Sequence, residues 1–314
     1  MSRISLLIRF GYDGSRFHGL QPQKDFVTAG SALRDRLEEA AGRRPKALFF
    51  SARTDAGVHA LENAATCWFP GPLDVEQFMR DVMQDRDDGL SRVRVERVPI
   101  HVHARGCSRG KRYRYTIDTG CLDGYWHATH SWRILPRLDV EAMRAAARHL
   151  EGEHDYTSFR AAKCSAKTPI KRLASIRISD PLPVGLQARQ ALPNTTGRKR
   201  HDFELGPVPD GVDEQRILID IAGDAFLRKM IRILVGTLAE VGIGWRHPDD
   251  ILDVIAAKNR QAAGLTAPAR GLTLLQLGFS YPDDGSRLVP ELRGLQKDAA
   301  GMTELSATSS SDAS

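Results

Sequence analysis

The chain has 314 residues, 41% hydrophobic and 27% charged, with a net charge of +6. That length suffices for one large domain or two ordinary ones with a sizeable core, and the composition is that of a soluble globular protein. No run of about 18 apolar residues occurs, which excludes a membrane-spanning helix. The four scattered cysteines (Cys67, Cys107, Cys121, Cys164) form no C-x-x-C pair, which argues against a zinc site and against a disulfide framework.

Met1-Ser2-Arg3-Ile4 passes straight into a strand-like pattern without signal-peptide architecture, so the expected compartment is the cytoplasm. Ile4 to Phe10 reads as the first strand. A helix follows from about Ala29 to Ala41, with Leu33, Leu37, Ala40 and Ala41 on one stripe; Gly42, Arg43, Arg44 and Pro45 end it. Lys46 to Ser51 and Ala64 to Phe69 are the next strands. A second helix begins at the capping residue Asp74 and is expected to bury Val75, Phe78, Met79, Val82 and Met83. Alternation from Arg92 to Val98 gives a fourth strand. This β-α-β-β-α-β order is the ferredoxin-like plan that RNA-recognition modules also use.

The second half repeats the theme more loosely. Strands over Lys111 to Asp118 and Ser131 to Leu135 precede a helix from Asp139 to Leu150. Strands at Ile170 to Ser179 and Gln215 to Ile221 follow, then helices from about Ala225 to Val241 and Pro248 to Ala257, and a closing strand from Leu272 to Phe279. Pro181 to Glu214 reads as a long inserted loop, and residues 285–314 as a disordered tail. The predicted class is α+β. Two ferredoxin-like subdomains with mainly antiparallel sheets are expected, over residues 1–104 and 105–284.

Between the second and third strands lies Arg53-Thr54-Asp55-Ala56-Gly57-Val58-His59-Ala60. This loop presents one acid between two apolar runs. Arg53 and Thr54 are placed to hold the Asp55 carboxylate by charge-assisted hydrogen bonds, and Gly57 permits a positive φ. The plain alternative is a turn in which Asp and Gly serve only the backbone. Two long stretches carry cations and no acid: Ser158 to Arg177 has six, and His103 to Thr116 has five. Such runs favour contact with phosphates over solvated faces of mixed sign. His101 and His103 alternate as in a strand with no completing ligand, so they read as structural or solvent-facing and no metal is expected.

The octapeptide around Asp55 resembles the active-site loop of the TruA family of tRNA pseudouridine synthases, and other motifs agree with that family in order. They are Tyr12-Asp13-Gly14 through Gly19, His103-Ala104-Arg105 with Lys111 to Tyr115, Asp155-Tyr156-Thr157-Ser158-Phe159, Phe226 to Arg232, and Ala269-Arg270-Gly271-Leu272. Six ordered motifs are far more specific than any one. Departures are Leu20 where the family often has Trp, Ala52 where Gly or Ser is common, and Gln84 to Gly89 in place of an N-x-x-L-P stretch.

The resemblance implies a pseudouridine synthase fold with the active-site cleft between the subdomains, a homodimer, and no cofactor. It implies that uridine is isomerised in the tRNA anticodon stem-loop, at tRNA positions 38–40. Asp55 is then the nucleophile and Arg232 the cation paired with it. Tyr113 is the residue that stacks on the uracil and assists removal of the C5 proton. Arg16, Arg53, Arg105, Arg160 and Lys163 are the further expected RNA contacts. The alternatives are the same chemistry at other RNA uridines, or an RNA-binding or chaperone module without catalysis. For Tyr113 the plain alternative is a strand aromatic facing the core, and for Arg232 a surface helix cation.

Overall fold

Alternating apolar residues in the first strand require a buried sheet face, and β1 (Arg3–Tyr12) supplies it with Leu6, Ile8 and Phe10 inside. In the computed structural model the described residues are 3–120, 129–183 and 215–280. After β1 come α1 (Ala29–Ala41), β2 (Ala47–Phe50), β3 (His59–Pro70), α2 (Val75–Met83) and β4 (Leu90–Arg97). β4, β1, β3 and β2 lie side by side in that order, all antiparallel, as the ferredoxin-like plan demands. Thr28 caps α1 through a reciprocal pair with Ser31, and Asp74 caps α2 as its position suggested. Phe78 and Val82 are buried as expected, whereas Met83 at the helix end is exposed.

β5 (Ser108–Thr119), β6 (Trp132–Ile134), α3 (Val140–His149), β7 (Gly152–Asp155), β8 (Ile170–Ile178), β9 (Leu182–Pro183) and β10 (Gln215–Gly223) follow. Then come α4 (Met230–Ile243), α5 (Asp250–Ala257) and β11 (Leu272–Phe279). The strands form one sheet of mostly antiparallel pairs, ordered β4-β1-β3-β11-β5-β10-β8-β7. α3 packs on α4 and on β8. β7 and β9 have no counterpart in the sequence reading, since both are too short to show a period. The inserted-loop reading lies almost wholly outside the described residues, as does the tail reading.

The last described strand is the join. β11 pairs antiparallel with β5 over most of its length and parallel with β3 at His59 and Ala60, immediately after the Asp55 loop. β3 thus lends one edge to two strands, β2 along its later part and β11 at its start. The 51–58 loop therefore opens at the seam of the sheet.

His101 falls in a turn and His103 in the loop that follows, neither in a strand. His101 is exposed, while the His103 ring packs on Phe49 and its Nδ1 accepts the N–H groups of Arg105 and Gly106. No helix of the described residues is long and apolar enough to cross a membrane. Cys67, Cys107 and Cys164 are free thiols.

Candidate active site

Asp55 stands in a turn closed by the Val58 N–H donating to the Asp55 carbonyl (3.2 Å), with Gly57 at φ 79°. Asn63, wholly buried in β3, holds the start of this loop. Its amide nitrogen donates to the Ala52 carbonyl (2.9 Å) and to the Tyr12 hydroxyl (3.1 Å). The Tyr12 hydroxyl in turn pairs with Thr54 Oγ1 at 2.7 Å. Burial pushes the Tyr12 phenol up to about 12, outweighing the hydrogen bonds of Thr54 and Asn63, so it remains a neutral strut at ordinary pH. Thr54 is thus committed to Tyr12, and no described hydrogen bond joins Arg53 to Asp55. Arg53 is exposed and lines the cleft instead.

The carboxylate is held from the other half of the chain. Arg232 Nη1 donates to Asp55 Oδ2 at 2.9 Å, and its Nε donates to the Ala267 carbonyl at 2.7 Å. The Ala267 N–H donates back to the Arg232 carbonyl (3.0 Å), so the guanidinium is oriented by a fixed backbone segment. The helix carrying it begins at Met230, five residues later than the pattern suggested. Lys229 before it has φ 60°, and Arg228 lies outside the helix. Arg228 and Arg232 therefore do not share a helix face.

These groups open on a cleft of about 520 Å³. Arg53, Arg105, Lys111, Lys163, Arg228, Lys229 and Arg232 line it, and Asp55 is the sole acid among its described lining residues. Tyr113 forms part of the wall. It is 6% exposed and meets Phe226 edge to face at 5.3 Å, so it serves the core and the cleft together. Burial first, then Tyr12 and Asp55, push its phenol pKa well above the ordinary value.

Lys111 is a cleft residue that sequence reasoning did not single out. Two positions before Tyr113 on β5, it shares that residue's strand face, and this alternation was the available signal. Burial depresses its pKa; Asp224 raises it and Arg105 lowers it further.

The remaining expected contacts divide. Arg105 and Lys163 line the cleft. Arg160 does not; its Nη2 clamps the carbonyls of Cys164 (2.6 Å) and Ala166 (3.1 Å), shaping the loop that carries Lys163. Arg16 also lies off the cleft, paired with Asp87, and the buried Arg36 pairs with Asp88. The Gln84–Gly89 stretch that departs from the family pattern thus anchors α1 and the loop before it. The acid-free stretches are not free of acid in space: Arg114 meets Asp220 on β10 in a two-pronged contact at 2.7 and 2.8 Å. In the other stretch, Lys171 turns its ammonium onto the carbonyls of Thr168 and Ile170.

Asp13, His59 and His130 also converge, with one potential ligand atom each within 4.8 Å of the others. They come from three separate segments, so no local spacing announced them. The two imidazoles are stacked, 4.2 Å apart and 22° from parallel. Nearly parallel ring planes share no nearby point, whereas an ion bound by both must lie close to both planes. His59 is used as a strut. Its Nε2 donates to the carbonyls of Thr129 (2.9 Å) and Arg270 (3.1 Å), and its Nδ1 accepts from the Gly14 N–H (3.0 Å).

A tRNA pseudouridine synthase family profile matches residues 146–280. The tRNA pseudouridine synthase A of Geotalea uraniireducens is 32% identical over 279 residues, covering 89% of this chain and 100% of the relative. The chain belongs to the tRNA pseudouridine synthase A family. The Syntrophotalea carbinolica enzyme of that name is 32% identical over 283 residues, covering 90% of this chain and 98% of the relative. The one from Acetivibrio thermocellus is 30% identical over 279 residues, covering 89% of this chain and all of its own length. Within the family, pseudouridine synthesis is an isomerisation.

Proposed function

We propose that the protein isomerises uridine to pseudouridine in the anticodon stem-loop of tRNA, at positions 38–40. It does so in the cytoplasm as a homodimer and without a cofactor, with Asp55 as the nucleophile. The observation that carries this reading is the Asp55–Arg232 contact of 2.9 Å in a cleft otherwise lined by cations. The guanidinium holds one carboxylate oxygen in place, and the surrounding cations receive the backbone phosphates of an extruded nucleotide. The division at residues 104 and 105 belongs to the same proposal. The seam between β3 and β11 beside the nucleophile supports it.

In the reaction the C1′–N1 bond breaks, the uracil turns, and C5 joins C1′. C5 loses a proton and N1 gains one, so the reaction is balanced without any co-reactant. Arg232 occupies Asp55 Oδ2, which leaves Oδ1 to attack or stabilise the electron-poor centre. The Tyr113 ring offers a stacking partner for the uracil. Its hydroxyl keeps its proton at ordinary pH, so a C5 proton it receives must be matched by one it passes on.

Loss of the C5 hydrogen gives a direct assay. With tRNA tritiated at uracil C5, wild-type protein should release tritium and Asp55→Asn should release none, with RNA affinity nearly intact. Release by Asp55→Asn within about tenfold of wild type would falsify the nucleophile assignment.

A further inference from the structure

The segment from Phe17 to Thr28 forms a knuckle beside the Asp55 loop. Phe17 and Leu20 are its buried roots. His18 N–H donates to the Val27 carbonyl (2.9 Å), Gln23 Nε2 donates to the His18 carbonyl (2.9 Å), and Gln23 bridges Phe26. The fold of the knuckle thus needs neither of the two rings it displays. Phe26 is 51% exposed and packs on the exposed His18, ring centroids 4.6 Å apart and planes 42° from parallel. A phenylalanine left half in water, supported from behind by a second ring, presents a flat face beside a second cavity of about 380 Å³, lined also by Asp35, Arg36, Glu39, Arg86 and Asp88.

Its placement says what the face is for. Gly19, next to His18, has φ 89°, and a Cβ there would sit 2.9 Å from the Thr54 carbonyl oxygen and 3.1 Å from the Ala56 nitrogen. The knuckle backbone therefore lies directly against that of the nucleophile, and Leu20 N–H donates to the Thr54 carbonyl (3.3 Å). Gln21, two residues on, lines the cleft itself. A nucleotide strand that delivers one uridine to Asp55 must continue past this rim with its neighbouring bases unstacked.

We propose that Phe26, backed by His18, is a stacking platform for an unpaired base flanking the reacting uridine. This rests on the reading of the cleft as a uridine-isomerising site. Every nucleobase has a π-face, so the platform selects for an unstacked base and not for its identity. The contact is remote from the reacting atoms. It acts on substrate and transition state alike, and so on KM rather than kcat.

The test uses the full-length protein and a synthetic anticodon stem-loop in which 2-aminopurine replaces each unpaired base in turn. Wild-type protein should change the fluorescence at one flanking position. Phe26→Ala should abolish that change and raise KM at least about 5-fold, with kcat within twofold and an unaltered melting temperature. Phe26→Trp should restore both readings, and Phe26→Leu, apolar without a π-face, should not. A wild-type KM for Phe26→Ala, rescue by Phe26→Leu, or a change of oligomeric state in sedimentation would each overturn the proposal, the last by assigning the face to a second copy of the chain. If wild-type protein converts no uridine, the function reading fails, and the fluorescence response alone still decides the platform.

Discussion

Replacing Arg232 tests the proposed catalytic pair most sharply, because this one side chain supplies both charge and position. Its side chain is 14% exposed and that of Asp55 30%, so the pair is partly shielded from water. Unit charges about 4 Å apart attract by about 4 kcal/mol at an effective dielectric of 20, and desolvation offsets much of that. We expect a coupling of about 1–2 kcal/mol between Asp55→Asn and Arg232→Met in a double-mutant cycle on urea unfolding. Arg232→Met also loses the 2.7 Å bond to the Ala267 carbonyl, worth about another 1.5–3 kcal/mol for a charged donor. Arg232→Lys is the informative variant. It keeps the charge, but its single ammonium cannot satisfy Asp55 and Ala267 in the same geometry. A displacement of about 1 Å costs about 100-fold in rate. Single-turnover tritium release from uracil C5, with enzyme in excess, reads this directly. Wild-type turnover by Arg232→Lys, or a coupling below about 0.5 kcal/mol, would refute the view that Arg232 both charges and aims the site.

Tyr113→Phe should bind RNA and melt like wild type but turn over slowly, since only the hydroxyl is lost. Tyr113→Ala should lose about 1–3 kcal/mol of stacking and, for so buried a ring, about 3–5 kcal/mol of stability. A fully active Phe variant removes the hydroxyl from the mechanism. Arg105→Ala and Lys163→Ala should each flatten the dependence of log affinity on log salt by about 0.7 to 0.9. Lys171→Ala should not, because its ammonium is occupied by backbone carbonyls; equal slopes for all three would mean that cleft position is irrelevant. The hydrogen bonds of Thr157, then the Lys258 ammonium, hold the Asp155 carboxyl below its ordinary range. Its stabilising contribution is complete above about pH 4 and is lost as pH falls through the lowered folded value. The melting-temperature gap between wild type and Asp155→Asn should therefore narrow below about pH 4, and a widening gap would contradict the assignment.

Where a residue's neighbours lie close in sequence, the sequence disclosed its role. Asp74 caps its helix where the apolar stripe begins, and the β-α-β-β-α-β order of the first half emerged from periodicity alone. Long-range partners were invisible to that reading. The run around Arg114 looked acid-free because Asp220 sits on another strand, and Arg53 looked like the partner of Asp55 because it is two residues away. Only motif resemblance pointed to Arg232, since no local rule links a helix start to a loop in the other half. The start of α4 was missed because the backbone turn at Lys229 leaves no mark on hydrophobic spacing. Asn63 gave no signal at all: a polar residue in a strand reads as solvent-facing, yet this one is wholly buried and ties the loop to Tyr12.

The strand that closes the sheet beside His59 is the last one among the described residues, and the helix that brings Arg232 precedes it by little. During synthesis, then, Asp55 leaves the ribosome well before Arg232 and before the strand that borders its loop. Pairings so distant in sequence form late and slowly. A partly made chain carries an aspartate in an unfinished turn, with no guanidinium to aim it and only part of the cleft around it. A chain cut short of β11 is expected to lose activity outright rather than by degrees.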